Sequence, residues 1–225
     1  MRAHSLMHKT RLPLRYWSRA VLLQSAATYG VSSYTLSNHL GIEPQAAWSM
    51  LGKMRRQIHT SEPAPYFMRD AGPIQCDETY VGQLRGQTKG KWVFGIYQAG
   101  SVSAQIVDRR DTRTLLAIIR RQVEPGATIF TDGWKAYQRL SEMGYRHESV
   151  NHSIGQFGNK SGVSTHHIDN FWMHLKRALR GTHRSVASKN LGTYLSDIQM
   201  RFGNRFDPCR IAHSYLKSLP EITIV

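Results

Sequence analysis

The chain has 225 residues, 40% of them hydrophobic, enough to bury a core in one or two domains. Its 30 Lys and Arg against 15 Asp and Glu give a formal charge of +15 at pH 7, a surplus that draws polyanions by counterion release and puts nucleic acid first among partner classes. The sequence shows no apolar run of about 18 residues and no apolar signal core, which argues against a membrane span and secretion and for the cytosol; two cysteines, Cys76 and Cys209, are too few for a disulfide framework or a four-cysteine zinc ribbon.

Residues 1 to about 12 are basic and unpatterned. From Leu14 to Tyr29 the apolar positions Leu14, Trp17, Val21, Leu22 and Ala26 recur at helical spacing, and Gly30 stops the pattern. Ser32 or Ser33 can cap a second helix that carries Leu36 and Leu40 and ends at Gly41. Pro44 suits the first turn of a third helix with Ala47, Trp48, Leu51, Met54 and Ile58 as its buried stripe and Lys53, Arg55, Arg56 and Gln57 facing outward. Helix, glycine turn, helix is the order of a helix-turn-helix, so Lys53, Arg55 and Arg56 are expected to contact DNA, against the blander reading of a helical bundle with a solvated charged face. Ser61-Glu62-Pro63-Ala64-Pro65 reads as a linker and Gly72-Pro73 as the entry to a second unit.

Strands come next. Residues 74–81, 91–98 and 102–107 are β-rich runs punctuated by glycine; a helix is expected at 113–123, a strand at 127–131, a helix at 134–143 and a strand at 145–150. The Gly- and Ser-rich stretch 153–164 reads as a loop, 165–180 as a helix, and 191–205 as another with Leu191, Tyr194, Leu195, Ile198 and Phe202 at helical spacing. This order gives an α/β unit with a mixed five-stranded sheet and flanking helices, preceded by an all-α segment. The boundaries are a helix-turn-helix segment over 1–60, a linker over 61–73, the α/β core over 74–210 and a tail over 211–225.

Three acidic positions stand apart from this scaffold. Asp77 lies in the strand run Ile74 to Val81, Asp132 where the run Ala127 to Thr131 gives way to Asp-Gly, and Asp169 in His167-Ile168-Asp169-Asn170-Phe171-Trp172. Carboxylates from different elements can hold two divalent cations that position and activate a nucleophile and a leaving oxygen on a phosphodiester. Lys176 follows Asp169 by seven residues, nearly two turns, so the two share a helix face about 10 Å apart, with Trp172 between them. Asp169 is preferred over Asn170 as the third ligand because hard cations favour a charged carboxylate over an amide.

At these residues the chain resembles the DDE transposases of bacterial insertion sequences, the ISXO-like group in particular. The resemblance rests on Asp77-Glu78-Thr79-Tyr80-Val81-Gly82, Thr131-Asp132-Gly133-Trp134-Lys135-Ala136-Tyr137, Val150-Asn151-His152-Ser153, and Ile168-Asp169-Asn170-Phe171-Trp172 through Leu175-Lys176-Arg177, with Gly181-Thr182, Tyr194-Leu195 and Arg201-Phe202-Gly203-Asn204-Arg205 further on. It implies an RNase H-like catalytic core, Mg²⁺ or Mn²⁺ and no zinc, and cleavage and strand transfer of insertion-sequence ends into target DNA in the bacterial cytosol. Double-stranded DNA would be the partner and a homo-oligomer the working form. Carried over, Asp77 and Asp132 are metal ligands, Asp169 stands where the group usually has Glu, and Lys176 is a basic helper that holds phosphate. The group usually begins with a zinc ribbon and this chain starts downstream of it, as a truncated copy would. The other-class readings are a DNA-binding regulator without catalysis and a simple nuclease on the same fold.

Single features carry further expectations. Glu78 should point to the sheet face opposite Asp77, in a structural role. Gly86-Gln87-Thr88-Lys89-Gly90-Lys91-Trp92 lacks the spacing of a P-loop and reads as a basic hairpin near DNA, with Lys89 and Lys91 as contacts. His147, His152, His166 and His167 match no zinc motif, and His167 is placed beside phosphate. Trp48, Trp92 and Trp172 are expected in the core by default, with stacking on a base as the alternative for Trp172 on the face shared by Asp169 and Lys176, which puts it with Arg177 in the DNA-facing set.

Overall fold

The computed structural model describes residues 10–61, 63–82, 89–150, 163–183 and 186–217. Its element order is α1 (Leu14–Ala26), α2 (Ser33–Leu40), α3 (Pro44–Ser61), β1 (Ile74–Val81), β2 (Lys91–Gln98), β3 (Ser101–Val107), α4 (Thr112–Gln122), β4 (Thr128–Asp132), β5 (Arg146–Val150), α5 (His166–Arg177), α6 (Leu191–Gly203) and α7 (Pro208–Leu216). The stretch read as a helix between β4 and β5 is a 3-10 helix, Lys135–Met143, closed by Gly144 in the left-handed region. The loop read at 153–164 lies outside the described residues except for Val163 and Ser164.

Five strands form one sheet in the order β3-β2-β1-β4-β5, antiparallel among β1, β2 and β3 and parallel across β1-β4 and β4-β5. Because side chains alternate along each strand, one face carries Ile74, Cys76, Phe94 and Ile96 against α4 and the 3-10 helix, and the other carries Val81, Val93 and Tyr97 against α5 and α6. A mixed five-stranded sheet with helices on both faces is compatible with an RNase H-like core.

The helical segment is built largely as its pattern dictates. Ser32 accepts a hydrogen bond from the Thr35 amide at the start of α2, and Gly41 ends that helix at φ 64°. Its stripes differ in detail. Leu22 and Trp48 face solvent, and Met50 takes the place in the α3 stripe expected of Trp48. A helix period of 3.6 puts Ala47, Met50, Leu51, Met54 and Ile58 on one side and leaves position 48 about 100° away from 47.

Two stretches are more ordered than their composition suggests. The span read as a linker carries Phe67, 1% exposed, which pairs with Val123 through amide and carbonyl bonds to Gln122 and Glu124. The start of the span read as a tail, residues 211–216, belongs to α7, whose Ile211 and Tyr215 join the core of α1, α2 and α3. The helical segment is also fastened to the sheet unit: Arg201 of α6 donates to the carbonyls of Gln24 and Ala27 at the end of α1, and Tyr215 donates to Asp197.

Candidate functional site

Strand β1 runs through the middle of the sheet, and its alternation sends Gln75 and Asp77 to the α5 face. The Gln75 side-chain oxygen accepts from the amides of His167 and Ile168, both at 3.0 Å, satisfying two donors that the first turn of α5 leaves unpaired. Two residues along, Asp77 Oδ2 accepts from Trp172 Nε1 at 2.7 Å. One strand therefore clamps both the start and the middle of the helix that carries Asp169 and Lys176.

The clamp requires Gly95. It pairs with Asp77 across β1 and β2, and a Cβ there would fall 2.6 Å from Trp172 Cη2 and 3.0 Å from Ile168 Cδ1. A glycine inside a strand signals this kind of close approach.

Burial raises the Asp77 carboxyl most, with the charges of Glu78 and Asp169 adding to it, and brings it to about 7 despite the bond from Trp172. Asp169 is exposed on the first turn of α5, where Thr165 Oγ1 donates to its Oδ2 at 3.3 Å. Asp132 is the last residue of β4 and accepts from the Trp134 amide at 3.2 Å. The parallel register pairs Ile74 with Ile129 and Gln75 with Phe130; continued by two residues, it sets Asp132 beside Asp77 on the same face. Electrostatically, however, the carboxylate that senses Asp132 is Glu78. A strand end sits at the rim, where both faces are within reach.

Among the described residues, no three of His, Cys, Asp and Glu come close enough together to hold a metal ion. The structure therefore couples Asp77 to Asp169 and sets Asp132 next to Asp77 in register, without gathering all three around one point.

Glu78 lies on the opposite face, as alternation requires. Its side chain is 2% exposed, accepts from the Tyr137 hydroxyl, and faces Arg110 at 3.6 Å. The Arg110 guanidinium is stacked between Trp92 and Trp134 at 4.4 and 4.3 Å. This assembly backs the turn that follows Asp132.

The expected DNA-facing residues divide. Arg56, Lys89, His167 and Arg177 are exposed, and Lys53, Lys91 and Lys176 are partly so. His167 stacks on Tyr97 with ring centroids 4.9 Å apart, and Lys91 pairs with Asp108 at 3.5 Å. Arg55 does not face outward: it is 4% exposed, with its guanidinium 4.0 Å over the Tyr194 ring, because α3 packs that side against α6. Trp172 is 4% exposed and turned to Asp77 and Gly95, so its indole is not a free stacking surface. Sequence reasoning passed over Gln75, Gly95 and Thr165; a polar residue and a glycine inside an apolar strand were the available signals.

The comparisons with known proteins are consistent with this architecture. The family described as ISXO2-like transposase domain matches residues 70–203, more than half of the chain. The chain belongs to that family. An "Uncharacterized transposase-like protein" of Haemophilus influenzae is 31% identical over 120 residues, covering 53% of this chain and 94% of that protein. An "Uncharacterized protein in transposable element ISH50" of Halobacterium salinarum is 28% identical over 157 residues, covering 58% of this chain and 52% of its own length. The transposase domain thus takes in every strand of the sheet as well as α5 and α6, and the family implies interaction with DNA. Among the described residues, no helix is long and apolar enough to cross a membrane.

Proposed function

We propose that this chain is a transposase that cuts insertion-sequence ends and transfers them to target DNA, using Asp77, Asp132 and Asp169 as ligands for Mg²⁺ or Mn²⁺. The observation that carries the reading is Asp77: a carboxylate on the central strand, poor in counter-charge, raised to about 7, and flanked by Asp169 in space and Asp132 in register. The donors fit a hard divalent cation, being carboxylate oxygens from three separate elements. When bound, such ions would activate an attacking oxygen and stabilise a leaving one.

The chain's own part is orientation. Trp172 holds Asp77 Oδ2 and, among the described residues, leaves Oδ1 unclaimed by a side-chain donor; Thr165 steadies Asp169, and the Trp134 amide steadies Asp132. Lys176, two turns beyond Asp169 on α5, is placed to hold a phosphate of the same strand. Arg56, Lys53, His167, Lys89 and Lys91 extend the contact to duplex DNA, and α2 and α3 act as a helix-turn-helix. The chain works in the cytosol, where its DNA is, and assembles as a homo-oligomer on paired ends.

The test uses supercoiled plasmid nicking in Mg²⁺ and in Mn²⁺ together with cation-dependent melting. Asp77→Asn and Asp132→Asn should lose nicking and keep DNA affinity. Asp169→Ala should be inactive in both ions, Asp169→Glu should retain or gain activity, and Asn170→Ala should be mild. Loss of binding equal to loss of nicking would refute the catalytic assignment. One observation favours an inactive DNA-binding regulator instead: the three carboxylates are not gathered at metal distance among the described residues. Divalent cations that leave the melting temperature unmoved would decide for it. Joining of a pre-cut end separates the transposase from a nuclease.

A further inference from the structure

At the far end of α5 the helix loosens into a π-helical turn, Ala178–Thr182, and beside it lies a cleft of about 520 Å³ lined by Tyr29, Lys176, Arg177, Arg180, Gly181 and Thr182. Single π turns interrupt helices at functional sites more often than elsewhere. No acidic residue lines the cleft, and Lys176, Arg177 and Arg180 have no ion-pair partner among the described residues. The end of a helix attracts cations, yet three around one opening exceed what its last carbonyls require. Nothing lies within 4 Å of where a Gly181 Cβ would be, so the floor is open.

The opposite wall comes from the helical segment. Gly30, at φ 73°, turns the chain after α1 where a Cβ would meet Gln24 Nε2 at 2.7 Å, and the turn delivers Tyr29 onto His174 of α5 with ring centroids 4.6 Å apart. His174 shows how positive the surroundings are: burial, then Arg201, Arg205 and Arg177, push it down to about 4.

We infer that this cleft is a phosphodiester-binding site in which Tyr29 of the helical segment and Arg177 and Arg180 of α5 and its π turn grip the backbone of the DNA strand that passes Asp169. The inference rests on the transposase reading and extends it to residues beyond the acids and Lys176. At 1.5 Å per residue, Lys176 and Arg180 lie roughly 10 and 16 Å along the helix from Asp169, the reach of about three to five nucleotides of one strand. Cleft and carboxylates can therefore engage one strand, and docking of the helical segment completes the site.

The experiment is fluorescence anisotropy of a labelled 30-base-pair duplex of arbitrary sequence, titrated with the full chain from 50 to 200 mM KCl. Arg177→Ala and Arg180→Ala should each lower the slope of log affinity against log salt by about one, and Arg180→Glu should weaken binding at least tenfold at 100 mM. Arg139→Ala, on the 3-10 helix across the sheet and paired with Glu142, should leave the slope unchanged. Unchanged slopes in both cleft variants, or an equal fall in Arg139→Ala, overturn the site. If Asp77→Asn still abolishes nicking in that case, the transposase reading stands alone. A chain that does not bind the duplex at all loses both.

Discussion

At the residue scale the site depends on a contact between one glycine and one indole. Trp172 both packs closely against Gly95 and donates to Asp77, so the two roles can be separated by substitution. Gly95→Ala drives a methyl against the ring. It should cost about 1–3 kcal/mol in urea unfolding, as overpacking does, and reduce nicking with it. Trp172→Phe keeps most of the packing and removes the donor. Asp77 should then titrate above its present value of about 7, moving the pH profile of nicking upward without a matching loss of stability. A profile that stays in place would mean the bond does not tune Asp77. Asp77 itself was legible in the sequence because an acid inside an apolar strand is conspicuous. Its holder was not, because hydrogen bonding between residues 77 and 172 depends on how closely β2 lets α5 approach. For the same reason only the core reading of Trp172 holds and its stacking alternative does not: its spacing from Asp169 and Lys176 fixes the side of the helix and says nothing of what that side touches.

At the element scale the strands were the most readable parts, since β1 and β2 fall where alternation and glycine punctuation set them. Helix α7 was missed, although Asp207 caps it, Pro208 begins it, and Ile211 and Tyr215 stand one turn apart. Those start signals were present. Shortness and the nearby end of the chain made them look like a tail. The consequence of its packing is measurable: Ile211→Ala should cost about 2–4 kcal/mol, as buried truncations do, because Ile211 fills the core of α1, α2 and α3. A cost below about 0.5 kcal/mol in chemical denaturation would show α7 to be detached in solution. Arg55 is the counterpart error, read as outward because its neighbours Lys53 and Arg56 are polar, and buried because α6 covers that side of α3.

At the scale of the whole molecule, the helical segment and the sheet unit share buried ionisable groups, and pH reports on their union. His183 is buried, its Nε2 has no hydrogen-bond partner among the described residues, and it is pushed down to about 3, first by burial and then by Arg55 and Arg201. Its folded value lies below the unfolded one, so the unfolded chain binds the extra proton and stability falls as pH drops below about 6.5. Asp77 works in the opposite sense: its folded value is raised, so without divalent cation its ionisation costs stability as pH rises from about 4 to 7. The two slopes partly cancel in the unaltered chain, and variants separate them. His183→Gln should recover about 2 kcal/mol of the acid loss at pH 5 relative to pH 7, read by denaturant melts at both values. An unchanged difference would show that His183 is already solvated when folded. Composition foretold none of this, because the charges meeting His183 come from α3 and α6, which are far apart in sequence.

The Gly95 contact also bears on inheritance. A side chain at that position forces the indole at 172 to shift, and a small residue at 172 removes the reason for glycine at 95. Across descendants of a common ancestor the two positions are therefore bound to change as a pair or not at all. An isolated change at either one marks a copy in which Trp172 no longer holds Asp77 as it does here.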